Sequence, residues 1–253
     1  MASILLLAIL GIWIFNRVDQ FLAGDPRFQL RETSDDGARN TGIQIEGARH
    51  ASRSRILSAF AGDTGRSVYL VPLRDRRLQL LGIDWVREAS VSRVWPNRLQ
   101  VRIIERIPVA FIQLPDSEDP RQFRVALIDA EGAILDPPER ARFTLPVLTG
   151  IRREQNREMR ARRVKSTMRL VSEIGKLAKN ISEIDVADPE NLKVVQQIDG
   201  QAVILWLGNS NYHSRMQNFL THYPEIRRRL AQATTFDLRL DDRITAMGGG
   251  TGG

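Results

Sequence analysis

No cysteine occurs anywhere in the chain. That excludes disulfides, thiolate nucleophiles and Cys-ligated metal, and it suits either redox compartment. Histidine is nearly as scarce. His50, His213 and His222 have no metal-ligand spacing between them and read as surface or hydrogen-bonded residues. No G-x-S-x-G, phosphate loop or dinucleotide fingerprint occurs. Acids such as Asp129, Glu131 and Asp185 fall at turns and strand ends. The expectation is therefore no catalytic residue, no cofactor and no metal. Lysine is confined to Lys165, Lys176, Lys179 and Lys193, so the net charge of +7 and the pI near 10.4 come mostly from arginine. The arginines are spread along the chain and interleaved with acids, which reads as a solvated surface. Only Arg152–Lys165 clusters, and it holds no aromatic residue. A nucleic-acid partner is therefore not expected.

What is present is ordinary for a folded protein: 253 residues, 42% hydrophobic and 26% charged, enough for one or two domains. Ala2 to Phe15 is apolar apart from Ser3 and Gly11, roughly fourteen residues where a span needs about 20. A signal peptide core and a buried core helix are the competing readings. No basic residue precedes the run, Ala23-Gly24 is a poor cleavage context, and an all-round apolar terminal helix has no core to enter. The expectation is a membrane anchor over 1–15 whose first turns and cytoplasmic tail lie upstream. Arg17, Arg27 and Arg31 flank its C-terminal side, so charge alone would place the body in the cytoplasm. Residues 16–41, with Gly24, Pro26 and Gly37, read as a linker.

Gly42 to Ala48 reads as a short strand. Ser52 is a cap for a helix through Ile56, Leu57 and Phe60, and Pro72 opens a second helix running to Gly82. Asp84 to Arg106 is a hairpin reversing at Trp95-Pro96-Asn97-Arg98. The order over 42–107 is thus β-α-α-β-β. From 108 to 247 shorter elements follow. Strands are expected at Val109–Ile112 and Phe123–Ile128 around an acidic loop, Asp116 to Asp119. Arg153 to Lys179 is a long helix with a stripe of Val164, Met168, Val171, Ile174 and Leu177. Strands Ile181–Val186, Leu192–Gln196 and Ala202–Leu207 follow, the last two joined by an Asp199-Gly200 hairpin turn. Met216, Phe219, Leu220 and Tyr223 mark a helix that Pro224 either kinks or follows with a second helix carrying Ile226 and Leu230. Phe236 to Met247 is a final hairpin, and 248–253 is a flexible Gly-rich tail. The fold class is α+β: anchor, β-α-α-β-β domain, then a mixed α/β domain with an antiparallel-rich sheet.

Trp85-Val86, Ala89, Val91, Arg93, Trp95-Pro96, Leu99, Val101, Glu105-Arg106 and Pro108-Val109-Ala110 stand in an order that resembles the FtsQ/DivIB family of bacterial cell-division proteins. Ile45-Glu46-Gly47, Gly65 through Tyr69, Arg77, Leu127-Ile128-Asp129, Leu145 to Gly150 and Phe236-Asp237-Leu238-Arg239 extend the likeness. The resemblance implies a POTRA domain over 42–107 and an FtsQ-type β domain over 108–247. It further implies a single-pass inner-membrane protein with a periplasmic body at the division septum. Its partners would be FtsB- and FtsL-like proteins on an exposed strand edge of the β domain, with other division proteins on the POTRA domain. The edge would comprise Phe236, Asp237, Leu238, Arg239, Leu240, Arg243 and Ile244, Arg239 either pairing with an acidic partner or held internally by Asp237 or Asp241. Another POTRA-containing envelope assembly factor is the alternative, against which stands the lack of a repeated copy or a barrel-strand series.

Overall fold

The computed structural model describes residues 2–30, 42–115, 122–138 and 141–247. The chain forms two compact units, Met1–Arg106 and Ile107–Gly253.

The first unit begins with α1, Ala2–Gly24, which is long and apolar enough between Leu6 and Gly24 to cross a membrane. The helix outruns the apolar sequence because no breaker interrupts it before Gly24-Asp25-Pro26. Asp25 then caps a short 3-10 turn, Pro26–Phe28, and Leu30 is buried. The expected linker over 16–41 is corrected on this point. Its first fifteen residues are helix, turn and a buried anchor residue, while 31–41 lie outside the described residues.

A three-stranded sheet follows, built from β1 (Ile43–Glu46), β2 (Val86–Val94) and β3 (Arg98–Glu105) in the order β1-β3-β2. β1 runs parallel to β3 and β2 antiparallel to it. Helices α2 (Arg53–Ser58) and α3 (Leu73–Leu81) lie between β1 and β2 in sequence, giving the β-α-α-β-β order. Ser52 accepts the Arg55 N–H at the start of α2. Alternation along β3 sends Leu99, Val101 and Ile103 into the core with Ile43, Ile56, Phe60, Val68 and Leu80. Gly47 is required where it stands: φ is +82°, and a Cβ would fall 2.0 Å from the Ile103 carbonyl oxygen.

Three charged side chains hold the irregular parts of this unit. Glu105, at the end of β3, accepts the backbone N–H groups of Arg49, His50 and Ala51, each at 2.7 Å. Arg76 forks onto the fully buried Asp63 at 2.6 and 2.9 Å. Arg93 donates to the carbonyls of Val68, Tyr69 and Val71 at 2.6, 2.9 and 2.8 Å.

The second unit is one nine-stranded sheet under two helices. Its strands are β4 (Pro108–Pro115), β5 (Phe123–Asp129), β6 (Ile134–Leu135), β7 (Val147–Thr149), β8 (Ile181–Asp185), β9 (Leu192–Ile198), β10 (Gln201–Gly208), β11 (Thr235–Asp237) and β12 (Thr245–Met247). They lie in the order β12-β11-β10-β9-β8-β7-β4-β5-β6. Three pairings, β4–β7, β7–β8 and β10–β11, are parallel, and the other five are antiparallel. The helix α4 (Arg157–Ile174) carries the chain between β7 and β8, and α5 (Tyr212–Arg229) carries it between β10 and β11. The acidic loop expected at Asp116 to Asp119 and the tail from Gly248 lie outside the described residues.

Two helical expectations are corrected. The buried stripe of α4 is Val164, Thr167, Leu170 and Ile174, with Val171 at its margin and Met168 45% exposed. Thr167 enters the core because its hydroxyl donates to the Arg163 carbonyl one turn back, which leaves only its methyl to pack. Pro224 does not begin a second helix: Ile226 belongs to α5, which is one continuous helix from Tyr212 to Arg229. The proline itself is on the exposed side of the helix. Packing of Tyr212, Met216, Phe219 and Tyr223 on the other side outweighs the lost bond.

Burial alone would raise the Glu105 carboxyl, but the three backbone donors and His50 hold it below its ordinary value of 4.5. Its contribution is therefore complete above that value and disappears as pH falls through the lowered folded value. Glu105→Gln should cost the first unit about 1–3 kcal/mol at neutral pH. Denaturant midpoints of the full chain in detergent should show the gap narrowing as pH drops into the carboxylate range. A gap independent of pH would assign the loss to packing.

Candidate functional site

The chain reaches the last two strands by a route that the sequence fixes step by step. Asp199 and Gly200 adopt positive φ, 50° and 78°, as a two-residue hairpin turn demands, so β10 returns antiparallel to β9. α5 then carries the chain back, and β11 joins β10 in parallel, with Leu205 opposite Phe236 and Trp206 opposite Asp237. Phe236 is buried, its ring 5.1 Å from that of Phe219 and 6.3 Å from that of Tyr223, both on α5. β12 lies antiparallel on β11, with Ala246 opposite Phe236. One side of the β12 backbone has no strand beside it among the described residues.

The other face of these strands carries charge around a single ring. The Trp206 indole lies under two cations, the Lys193 ammonium at 4.6 Å and the Arg239 guanidinium at 4.9 Å from its centroid. Arg239 also donates to Asp237 at 2.9 and 2.6 Å and to Asn191 at 3.2 Å. Hydrogen bonds from the Arg239 side chain hold the Asp237 carboxyl below the usual range, and Asp237 in turn raises Arg239. Asp241 accepts from Arg215 at 2.8 Å and Asn211 at 3.0 Å, which lower its pKa in the same way. Between α5 and the connection from β11 to β12 is a cavity of about 150 Å³, bordered by Ser214, Asn218, Leu240 and Ile244.

The expected edge residues therefore divide. Phe236 and Leu238 are core residues and present no side chain to a partner, because the β11 register points them under α5. Asp237 and Arg239 are committed to one another. Leu240, 55% exposed, and Arg243 are on the surface beside the open edge, with Ile244 half-buried between. Among the described residues the free edge belongs to Thr245, Ala246 and Met247, which the expected set omits, although the expected final hairpin reaches Met247. Trp206, Lys193 and Asn191 went unforeseen because they are distant in sequence from Arg239, and nothing local in a strand marks a ring as a cation platform.

Acids considered for catalysis have structural partners. Asp129 accepts the N–H groups of Glu131 and Ala133, Glu131 pairs with Arg157, and Asp185 accepts the Ala187 N–H. His50 is bonded to Glu105, and His222 meets the Asn218 carbonyl. Among the described residues no group of His, Cys, Asp and Glu could hold a metal ion. The basic cluster is also largely occupied. Arg157, Arg160 and Arg163 bond the carbonyls of Glu131, Gly132 and Gly150, and Arg162 pairs with Glu158.

Comparison with known proteins gives matches over both units. Residues 41–106 match the POTRA domain, FtsQ-type, and residues 120–239 match the C-terminal part of cell division protein FtsQ/DivIB. Cell division protein FtsQ of Koribacter versatilis (strain Ellin345) is 34% identical over 246 residues, 94% of this chain and 66% of that protein. The protein of the same name from Syntrophotalea carbinolica is 24% identical over 210 residues, covering 80% and 71%. That of Novosphingobium aromaticivorans is 27% identical over 213 residues, covering 83% and 62%. The chain thus spans 62–71% of the length of these three relatives.

Arg239→Ala removes the carboxylate fork and one of the two cations over Trp206. It should lower the stability of the second unit by about 1 kcal/mol near neutral pH. Asp237, lowered in the folded state, contributes above its ordinary value and stops contributing as pH falls through the lowered one. The difference between variant and parent midpoints should shrink on acidification. An unchanged midpoint at neutral pH would make the cluster a surface ornament without energetic weight.

Proposed function

Since the chain belongs to the FtsQ/DivIB family of cell-division proteins, we propose that it is a non-enzymatic, single-pass scaffold of the division machinery that takes an extended segment of a partner on the open edge of β12. α1 is the anchor, and both folded units stand on the extracytoplasmic side of the inner membrane at the septum. FtsB- and FtsL-like proteins are the partners at the β12 edge, and other division proteins use the POTRA unit.

The observation that supports this reading is the end of the nine-stranded sheet. β12 offers a backbone edge beside exposed Leu240 and Arg243 and beside the small cavity under Leu240. Strand addition to such an edge takes its affinity from main-chain hydrogen bonds and its specificity from flanking side chains. The match over 120–239 favours division over another POTRA-containing envelope factor. The occupied arginines of α4 weigh against nucleic acid.

Along a strand, successive N–H groups point to opposite sides, so proline at two adjacent positions of β12 must remove one outward donor. Ala246→Pro and Met247→Pro should therefore differ. One should lower retention of small FtsB- and FtsL-like membrane proteins on the full chain in detergent while its denaturation midpoint holds. Equal, undiminished retention by both folded variants would rule out strand addition at this edge.

A further inference from the structure

We propose that the tip of the β2–β3 hairpin, Trp95 to Arg98, together with the turn Pro26–Phe28, is a second membrane contact that lies among anionic phospholipid headgroups of the bilayer α1 enters. The proposal rests on α1 being a membrane span and goes beyond it, because it brings the folded POTRA unit onto the lipid surface.

The end of α1 is fastened to the unit that follows. The Ser67 hydroxyl donates to the Leu22 carbonyl at 2.6 Å, and the Leu30 N–H donates to the Arg66 carbonyl at 2.8 Å. The Gly65 N–H returns to the Leu30 carbonyl at 3.0 Å. Asp19, bonded to the Tyr69 hydroxyl, raises that phenol's pKa. Three rings then step outward edge to face. Phe21 lies 5.7 Å from Phe28, and Phe28 lies 5.6 Å from Trp95. Arg93 ties the hairpin to Val68, Tyr69 and Val71, so Tyr69 and Trp95 move with one body.

The membrane-crossing stretch runs from Leu6 to Gly24, which puts Phe21 in its last turn. Two ring contacts from Phe21, Trp95 therefore lies at the level where a bilayer passes from hydrocarbon to headgroup. Its indole is 49% exposed, and Leu70, beside Tyr69, is 43% exposed. In water both would be misplaced apolar groups; at the interface a Trp with a basic neighbour is the favoured composition. Arg98 and Arg17 are exposed and without an acid partner among the described residues, whereas Asp25 neutralises Arg27. A groove of about 800 Å³ opens here, lined by Phe21, Phe28, Leu30, Pro96 and Asn97. Largely apolar walls, with the exposed Arg98 next in sequence to the lining Asn97, suit a phospholipid headgroup and its glycerol, and a cation near an anionic leaflet adds attraction.

A chain without cysteine accepts single labels directly. Ile9→Cys, Glu88→Cys and Asn97→Cys would carry a nitroxide in the full chain, reconstituted in nanodiscs of phosphatidylcholine with phosphatidylglycerol. Glu88 is toward the far end of β2 from the tip, on the order of 20 Å away by strand rise. A nickel chelate on lipid headgroups should relax the Asn97 label several-fold more than the Glu88 label. Either Arg98→Glu or removal of phosphatidylglycerol should lower that relaxation. Ile9 sheltered in the bilayer with Asn97 no more relaxed than Glu88 would overturn the proposal alone, whether water or another protein fills the groove. Relaxation at Asn97 indifferent to both charge changes would overturn headgroup recognition. An Ile9 label open to water would overturn the anchor and this proposal together.

Discussion

Burial of Phe236 beneath α5 is the constraint from which the exposed end of the second unit follows. The ring is on β11, a strand of three residues that has too few hydrogen bonds to fix its own register. Contact with Phe219 and Tyr223 fixes it instead. A slip of one residue would expose Phe236 and bury Asp237, exchanging a hydrophobic gain of about 2 kcal/mol for an unpaired buried charge. With Phe236 set, Asp237 and Arg239 meet on the other face beside Trp206, and β12 falls at the rim. The aromatic cluster thus decides where the edge is, although none of its members touches the edge's outer side.

Arginine does in this molecule what longer loops of regular structure would otherwise do. Arg93 gathers three carbonyls of an irregular segment, Arg77 reaches the Ala89 carbonyl, and Arg215 reaches that of Leu207. Arg157, Arg160 and Arg163 meet the carbonyls of turns beneath α4. A guanidinium carries several donors in a fixed fork and stays charged, so it satisfies clustered acceptors that an ammonium would meet one at a time. The basic composition is in this respect structural.

Much of this was legible in the sequence, for physical reasons that differ by element. Alternation at Leu99, Val101 and Ile103 marked a half-buried strand, and Asp199-Gly200 marked a turn needing two positive φ values. Ser52 was a local signal for a helix cap. The reading failed where tertiary context overrides a local rule. Hydropathy ended the anchor at Phe15, whereas the helix obeys its breakers and runs to Gly24. Of the two readings of Pro224, the second helix is the one that the buried face of α5 overrides. Met168 is exposed although apolar, while Thr167 is buried although polar. At the candidate edge, Phe236 to Ile244 were assigned as a block, but alternation and the α5 crossover divide them into core, internal ion pair and surface. The ring under Arg239 is reached only through folding, so no window of sequence around Arg239 contains it.

The charges that precede β12 bear on copies of the chain with one another. Proteins held by an anchor in one bilayer meet repeatedly in two dimensions, with their folded units at a common height. A long, flat, unpaired strand in that setting would zip onto its twin and polymerise along the membrane. Asp241, Asp242 and Arg243 precede β12 as charged guards against such pairing. An edge so flanked would repel its own kind, and the proposed partner would have to meet those charges with side chains of its own.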